Sequence, residues 1–221
     1  MNDSLKYKLV IFDLDGTLLN TLDDLYNSVA FALSENGLAP RTKAEVRQFL
    51  GNGMKNLIHR SVPEGTDPET ELAAYRSFRA HYKVHCTDLT APYPGIPEAL
   101  SRIKESGIHV AVLSNKADPE AVRLCNLYVP GLFDSAAGER EGIPRKPSPE
   151  GVLTLMKGAG TSPDETLYVG DSEVDIETAK NAGVSCLSVN WGFRDTDQLF
   201  ASGASKVVST AEEMADAILL P

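Results

Sequence analysis

Read for polarity alone, the chain changes its grammar twice. Leu9, Val10, Ile11 and Phe12 form an unbroken apolar run of branched and aromatic residues, which predicts a short strand buried on both faces. From Thr21 onward the apolar residues instead return at helical spacing. Leu22, Leu25, Tyr26, Val29, Ala30 and Leu33 predict one helix, with Thr21 as its cap and Gly37 as its stop. A shorter helix is expected from Thr42 through Val46, Phe49 and Leu50. Gly51-Asn52-Gly53 interrupts the pattern, and Met54, Leu57 and Ile58 resume it. From Pro68 to about His85 a further helix carries Leu72, Tyr75, Phe78 and Tyr82 on one side.

From Pro94 strands and helices alternate. Ile96, Leu100 and Ile103 predict a helix, Ile108 to Leu113 a strand, and Ala121, Val122 and Leu124 a second helix. A weaker strand is expected near Phe133 to Ala137, then a loop from Gly142 to Pro149 and a helix through Val152, Leu155 and Met156. Thr166 to Val169 and Val184 to Val189 read as strands, with a helix through Ile176, Ala179 and Ala182 between them. Lys206 to Val208 is a last short strand and Ala211 to Leu219 a closing helix. Such alternation predicts an α/β fold with a parallel, doubly wound sheet. The core would comprise residues 1–17 and 89–221. Residues 18–88 would form an inserted, all-helical cap domain, with Thr87 to Gly95 as its return linker.

Composition narrows the class of partner. The 221 residues are 42% hydrophobic and 24% charged, as in a soluble globular protein. A formal net charge of -10 argues against nucleic acid or an anionic membrane as the main partner. No apolar run approaches the length of a membrane span, and the polar start, MNDSLKYK, lacks the apolar core of a signal peptide. Cys86, Cys125 and Cys186 are far apart and show no metal-ligand spacing, which favours a cytoplasmic protein with packing thiols. Monomer and homodimer both remain open. The acidic balance also means that an anionic substrate would need a bound cation and local positive groups to offset the field.

The candidate chemistry sits where predicted strands end. Asp13-Leu14-Asp15 follows the first apolar run, Ser114-Asn115-Lys116 the second strand, and Gly170-Asp171 a later one, with Glu173 and Asp175 close behind; Lys146-Pro147 lies in the loop before a helix. In parallel α/β sheets ligands bind beyond the carboxyl ends of strands. Two carboxylates two positions apart can divide the work of nucleophile and proton carrier, or together hold Mg2+. Taken singly, each has a plainer reading. Asp13 to Gly16 could be a turn, Ser114 a helix cap, Lys146 a surface lysine and Asp171 a cap or turn. Together they supply an attacking group, oxygen ligands for a metal, donors for a phosphoryl group and a proton carrier, which is the inventory of phosphoryl transfer.

The set DLDGTL, LSNK, RKPSPE and VGDSEVDIETAKNAG, in this order over nearly the whole chain, resembles the haloacid dehalogenase superfamily in its phosphatase branch. The resemblance implies a Rossmann-like core and a cap inserted after the first strand. It makes Asp13 the nucleophile that forms an aspartyl-phosphate. Asp15 would be the acid and base, with its backbone carbonyl on Mg2+. Ser114 and Lys146 would hold the phosphoryl group, Asp171 would be a metal ligand, and Asp175 would support the metal site. Dehalogenases of this superfamily lack a second acid where Asp15 stands, so the resemblance favours phosphate chemistry on a small phosphorylated metabolite. VRQFLGNGMKNLI and the SNK form of the second segment further resemble phosphoglycolate phosphatases, although Ser114 replaces the Thr of many relatives. On that likeness Asn115, Gly51 and Gly53 join the substrate-binding candidates, the two glycines as a tight cap loop or else a plain helix-helix turn. A sugar-phosphate mutase and a catalytically silent binding module are the competing readings, the latter disfavoured by intact Asp13, Asp15 and Asp171. Trp191, in NWGFR, is expected to anchor a packed loop, and the four histidines to be solvated or packed.

Overall fold

A computed structural model describes residues 5–220. The polar start, Met1 to Ser4, lies outside them. In chain order the elements are β1 (Leu9–Phe12), β2 (Leu19–Asn20), α1 (Leu22–Glu35), α2 (Lys43–Phe49), α3 (Gly53–Ser61), α4 (Pro68–His85) and β3 (Ala91–Pro92). Then follow α5 (Ile96–Glu105), β4 (His109–Ala117), α6 (Asp118–Tyr128), β5 (Ser135–Glu139), α7 (Glu150–Ala159) and β6 (Thr166–Gly170). The chain closes with α8 (Glu173–Ala182), β7 (Ser185–Val189), α9 (Thr196–Ala201), β8 (Val207–Val208) and α10 (Ala211–Leu219). Contacts divide the chain into one unit of residues 1–19 and 92–221 and a second of residues 20–91. The chain leaves the first unit at Leu19 and re-enters it at Pro92, and β2 and β3 at these crossings pair with each other.

The first unit is a six-stranded sheet in the order β5-β4-β1-β6-β7-β8, with every pairing parallel. All four residues of β1 are fully buried, because the strand has a core on each side. Val10 and Phe12 enter one apolar cluster with α5, α6 and α10, through Leu100, Leu124 and Met214 among others. Leu9 and Ile11 enter the other, with Val152 and Met156 of α7 and Ala179 of α8. Full burial of such a side chain is worth about 1.5–3 kcal/mol, so this strand is held by its own composition. Chain order runs outward in both directions from β1, through β4 and β5 on one side and β6, β7 and β8 on the other. That makes the carboxyl end of β1 a topological switch point.

The second unit is built from the helices α1 to α4, with one residue each of β2 and β3 at its ends. Val29, Leu33, Val46, Ile58, Phe78 and Tyr82 are buried in it. Thr42 and Glu45 form a reciprocal capping box at α2, and Asp67 caps α4 through the amides of Glu69 and Thr70. Asp24, only 2% exposed, accepts hydrogen bonds from the Leu89 and Thr90 amides and the Thr90 hydroxyl. These bonds bind the unit's last residues to its first helix, so its contact boundary runs past residue 88 to residue 91. At the other end Leu18 and Leu19 belong to the sheet's apolar cluster, so the unit starts at 20 and not at 18.

Local departures from the expected pattern have local causes. Thr21 occupies the N-cap position of α1, but its hydroxyl makes no capping bond. β4 does not stop at Leu113. It runs through Ser114, Asn115 and Lys116 to Ala117, so Ser114 lies within the strand and caps no helix. The weaker strand falls at Ser135–Glu139, two residues later than its apolar residues suggest, on the sheet's edge where burial is incomplete. Helix α9 was not expected, and it rests on an Asp195–Gln198 capping box.

Candidate active site

Strand ends and one loop deliver the polar groups. The Asp13 amide donates to the Val169 carbonyl at 2.9 Å, which stitches the end of β1 to the end of β6. Asp13 Oδ1 accepts the Leu14 amide at 2.7 Å and meets Lys146 Nζ at 2.8 Å. The same ammonium, on a residue 4% exposed, lies 2.8 Å from Asp175 Oδ1. Asp175 is fully buried in the first turn of α8. Its Oδ2 accepts the Ser172 amide and hydroxyl, and the Tyr168 hydroxyl donates to Oδ1 at 3.3 Å. One carboxylate thus caps a helix and holds Lys146 at once.

Asp171 is enclosed more tightly still. The Thr17 hydroxyl donates to its Oδ1 at 3.0 Å, and the Phe193 amide donates to its Oδ2 at 2.6 Å. A Cβ on Gly16 would stand 2.4 Å from Asp171 Oδ2, and Gly16 also has a φ of 90°, so both space and conformation require glycine there. Ligand atoms of Asp13, Asp171 and Asp175 lie within 4.8 Å of one another.

Burial pushes the Asp13 carboxyl well above its ordinary range; Lys146 opposes this, while Asp175 and Asp171 add to it. Burial, then the charge of Asp175, pushes Asp171 up to about 7. Burial works to lower the Lys146 pKa, but Asp13 and Asp175 outweigh it and hold the ammonium well above its usual value. Two of the three buried carboxylates pair with one buried lysine and the third with none among the described residues, a cluster with more acid than nearby cation. An all-oxygen donor set short of positive charge suits Mg2+, which would let these carboxylates ionise. The donor set therefore fits the metal that the sequence motif implies.

The remaining predicted residues occupy three places. The side chain of Asp15 is not among the three clustered acids; its Oδ1 lies 3.0 Å from Lys116 Nζ, a contact of charges without the alignment of a hydrogen bond. Ser114 Oγ accepts the Lys116 amide, and Asn115 Nδ2 donates to the Lys146 carbonyl, so β4 also holds the loop that carries Lys146. Gly51 and Gly53 lie in the helical unit at the start of α3, with φ of 110° and 77°.

A family model for haloacid dehalogenase-like hydrolases matches residues 10–189. The chain belongs to that family. Among curated proteins it is 32% identical over 210 residues to a phosphoglycolate phosphatase of Pseudomonas putida, spanning 91% of this chain and 76% of the relative. It is 35% identical over 189 residues to one from Cereibacter sphaeroides, spanning 84% and 86%. Among solved structures, a candidate phosphoglycolate phosphatase from Lactobacillus delbrueckii subsp. bulgaricus superposes with a TM-score of 0.93 at 33% identity, covering 98% of this chain and all of that one. The protein is thus a phosphatase-type haloacid dehalogenase-like hydrolase.

Within this family member, sequence reasoning passed over several groups that the fold brings to the acids. Lys116 was visible only as a neighbour of Ser114, and its approach to Asp15 across about a hundred residues has no local signal. Thr17 lies in the DLDGTL run, yet its bond to Asp171 appears only on folding. The Phe193 amide carries no side-chain signature at all. The WG pair just before it was the available clue.

Proposed function

We propose that this chain is a Mg2+-dependent phosphomonoesterase acting on a small phosphorylated metabolite, with 2-phosphoglycolate as the first substrate to test. The observation that carries the reading is the convergence of Asp13, Lys146, Asp171 and Asp175 at the switch point of a parallel sheet. Asp13 Oδ1 is occupied by Lys146 and the Leu14 amide, so Oδ2 is the oxygen assigned to attack phosphorus. As the bond from Asp13 to phosphorus forms, the bond to the ester oxygen breaks and Asp15 gives that oxygen a proton. Water then attacks the aspartyl-phosphate, Asp15 takes its proton, and the bond from phosphorus to Asp13 breaks. Lys146 and Ser114 bind and orient the phosphoryl oxygens. Mg2+ held by Asp13, Asp171 and the Asp15 carbonyl, with Asp175 in support, would offset the charge of the incoming dianion.

These groups recognise a phosphoryl group and nothing else of the ester. Selection among esters is therefore assigned to the helical unit, with Gly51-Asn52-Gly53 as its candidate segment. Phosphate release across a panel of phosphomonoesters, with Mg2+ and with excess EDTA, tests the whole reading. The expected result is turnover that EDTA abolishes and Mg2+ restores, with 2-phosphoglycolate the best substrate. Full activity in EDTA would overturn the metal assignment, and an isomerised sugar phosphate without free phosphate would establish a mutase instead.

A further inference from the structure

The segment after β7, Asn190-Trp191-Gly192-Phe193-Arg194, has no part in the chemistry above, yet it packs against the Asp171 carboxylate. A Cβ on Gly192 would stand 2.4 Å from Asp171 Oδ2, 2.5 Å from Asp171 Cβ and 2.3 Å from the Gly16 carbonyl oxygen. Two of these atoms belong to the carboxylate residue itself and one to fixed backbone, so no flexible side chain can yield to the methyl group. The next residue, Phe193, donates its amide to Asp171 Oδ2 at 2.6 Å. The preceding residue, Trp191, donates its indole N–H to the Thr17 carbonyl at 3.0 Å. Thr17 in turn donates its hydroxyl to Asp171 Oδ1 at 3.0 Å. The loop therefore governs both oxygens of one carboxylate, one directly and the other through Thr17.

The loop is itself anchored at both ends. Arg194, a buried residue, makes a two-pronged pair with Glu173 at 2.7 and 2.8 Å, two positions beyond Asp171. Asn190 Nδ2 donates to the Thr196 and Ser209 hydroxyls. Such anchoring exceeds what a surface connection needs, and the residues it holds between its two ends are those that meet Asp171 and Thr17.

We propose that Trp191, Gly192 and Phe193 are positioning residues that aim Asp171 at the metal. The proposal rests on the reading of Asp171 as a Mg2+ ligand. It assigns the WG pair a role in metal affinity beyond anchoring a loop.

The test is calorimetric titration of Mg2+ into the full-length protein, with no substrate present, for the wild type, Asp171→Asn, Gly192→Ala and Trp191→Phe. Loss of an outer-shell partner typically costs about 10–100-fold in metal affinity, and Gly192→Ala should weaken Mg2+ binding by that factor. Trp191→Phe keeps an aromatic ring at this position but removes the indole donor together with the pyrrole ring, so it should weaken binding about 2–10-fold, the order of one hydrogen bond. Trp191→Phe also carries the test if Gly192→Ala does not fold. Wild-type Mg2+ affinity in Trp191→Phe, or in a folded Gly192→Ala, alongside lost binding in Asp171→Asn would overturn the loop's role alone. Unchanged binding in Asp171→Asn would overturn the ligand assignment, and the proposal with it.

Discussion

Replacing Lys146 by Met should unfold the catalytic unit far more readily than its single lost charge suggests. The ammonium lies 2.8 Å from Asp13 and 2.8 Å from Asp175, and all three side chains are shielded from water. Met fills much of the same volume, so the packing loss is small and the electrostatic loss dominates. Removing one partner of a buried ion pair costs about 3–5 kcal/mol, chiefly because the other charge is left unpaired. Here two carboxylates lose the same cation, which places the expected loss in EDTA at the upper end of that range. At about 2–4 °C per kcal/mol for a chain of this size, a loss of about 5 kcal/mol should lower the melting temperature by roughly 10–20 °C. The one tryptophan of the sequence, Trp191, lies in the sheet unit, so its fluorescence during urea unfolding reports that unit specifically. Saturating Mg2+ at about a hundred times its dissociation constant contributes roughly 2.7 kcal/mol to any form that binds it, wild type included, so the deficit is read in EDTA, where neither form carries the ion. A Lys146→Met protein within about 1 kcal/mol of wild type in EDTA would refute the reasoning, since that is the range of an exposed pair.

Asp15→Asn should lower turnover by about 10²–10⁴-fold, the usual contribution of a general acid-base group, with rapid-quench measurement of both half-reactions as the check. Asp13→Asn should be at least as severe, because it replaces the carboxylate proposed to attack phosphorus by a non-nucleophilic amide. Gly53→Val should depress kcat/KM for the preferred substrate about 10–200-fold more than for a flat aryl phosphate, leaving the metal requirement unchanged; equal losses on both would make the turn structural only. In the helical unit, burial lowers the His81 pKa below 6.5, the neighbouring His85 lowers it further, and Asp88 opposes. The unfolded chain then binds the proton more readily, so stability present above pH 6.5 should decline as pH falls through 6.5 towards the lowered folded value. The ring stacks between Phe31 and His85 and hydrogen-bonds the Ser28 hydroxyl. Melting followed by far-ultraviolet circular dichroism should show a flatter pH slope in His81→Asn, and an unchanged slope would assign the dependence elsewhere.

The polarity pattern carried the architecture well where burial is two-sided. Leu9 to Phe12 could be read as a central strand because each residue faces a core, and Pro68–His85 as a helix whose Phe78 and Tyr82 are buried as expected while Leu72 stays exposed. Legibility failed where polar residues are buried for chemistry. Ser114, Asn115 and Lys116 continue a strand, yet their polarity reads as its end, since a periodic pattern assumes that polar residues seek water. At the candidate site the acids announced themselves through close spacing and adjacent glycines. Their partners did not, because Lys116, Thr17 and the Phe193 amide reach carboxylates by folding and not by sequence neighbourhood.

The parallel sheet also sets an order of assembly. Leu9 pairs with His109 on one side and with Thr166 on the other, so the strand that carries Asp13 waits for partners made about a hundred and about a hundred and fifty residues later. Residues 20–91, by contrast, are contiguous, so none of their contacts spans more than about seventy residues. Local contacts form early and distant ones late, and synthesis proceeds from the N-terminus. As the chain emerges from the ribosome, the helical insertion can therefore close while β1 is still unpaired at both edges. Asp13 meets Asp171 and Asp175 only after β6 and α8 have been made. A nascent chain interrupted just before residue 166 would carry the helical insertion and no assembled acid cluster, with β1 paired at most to β4 and its other edge left for chaperones to cover.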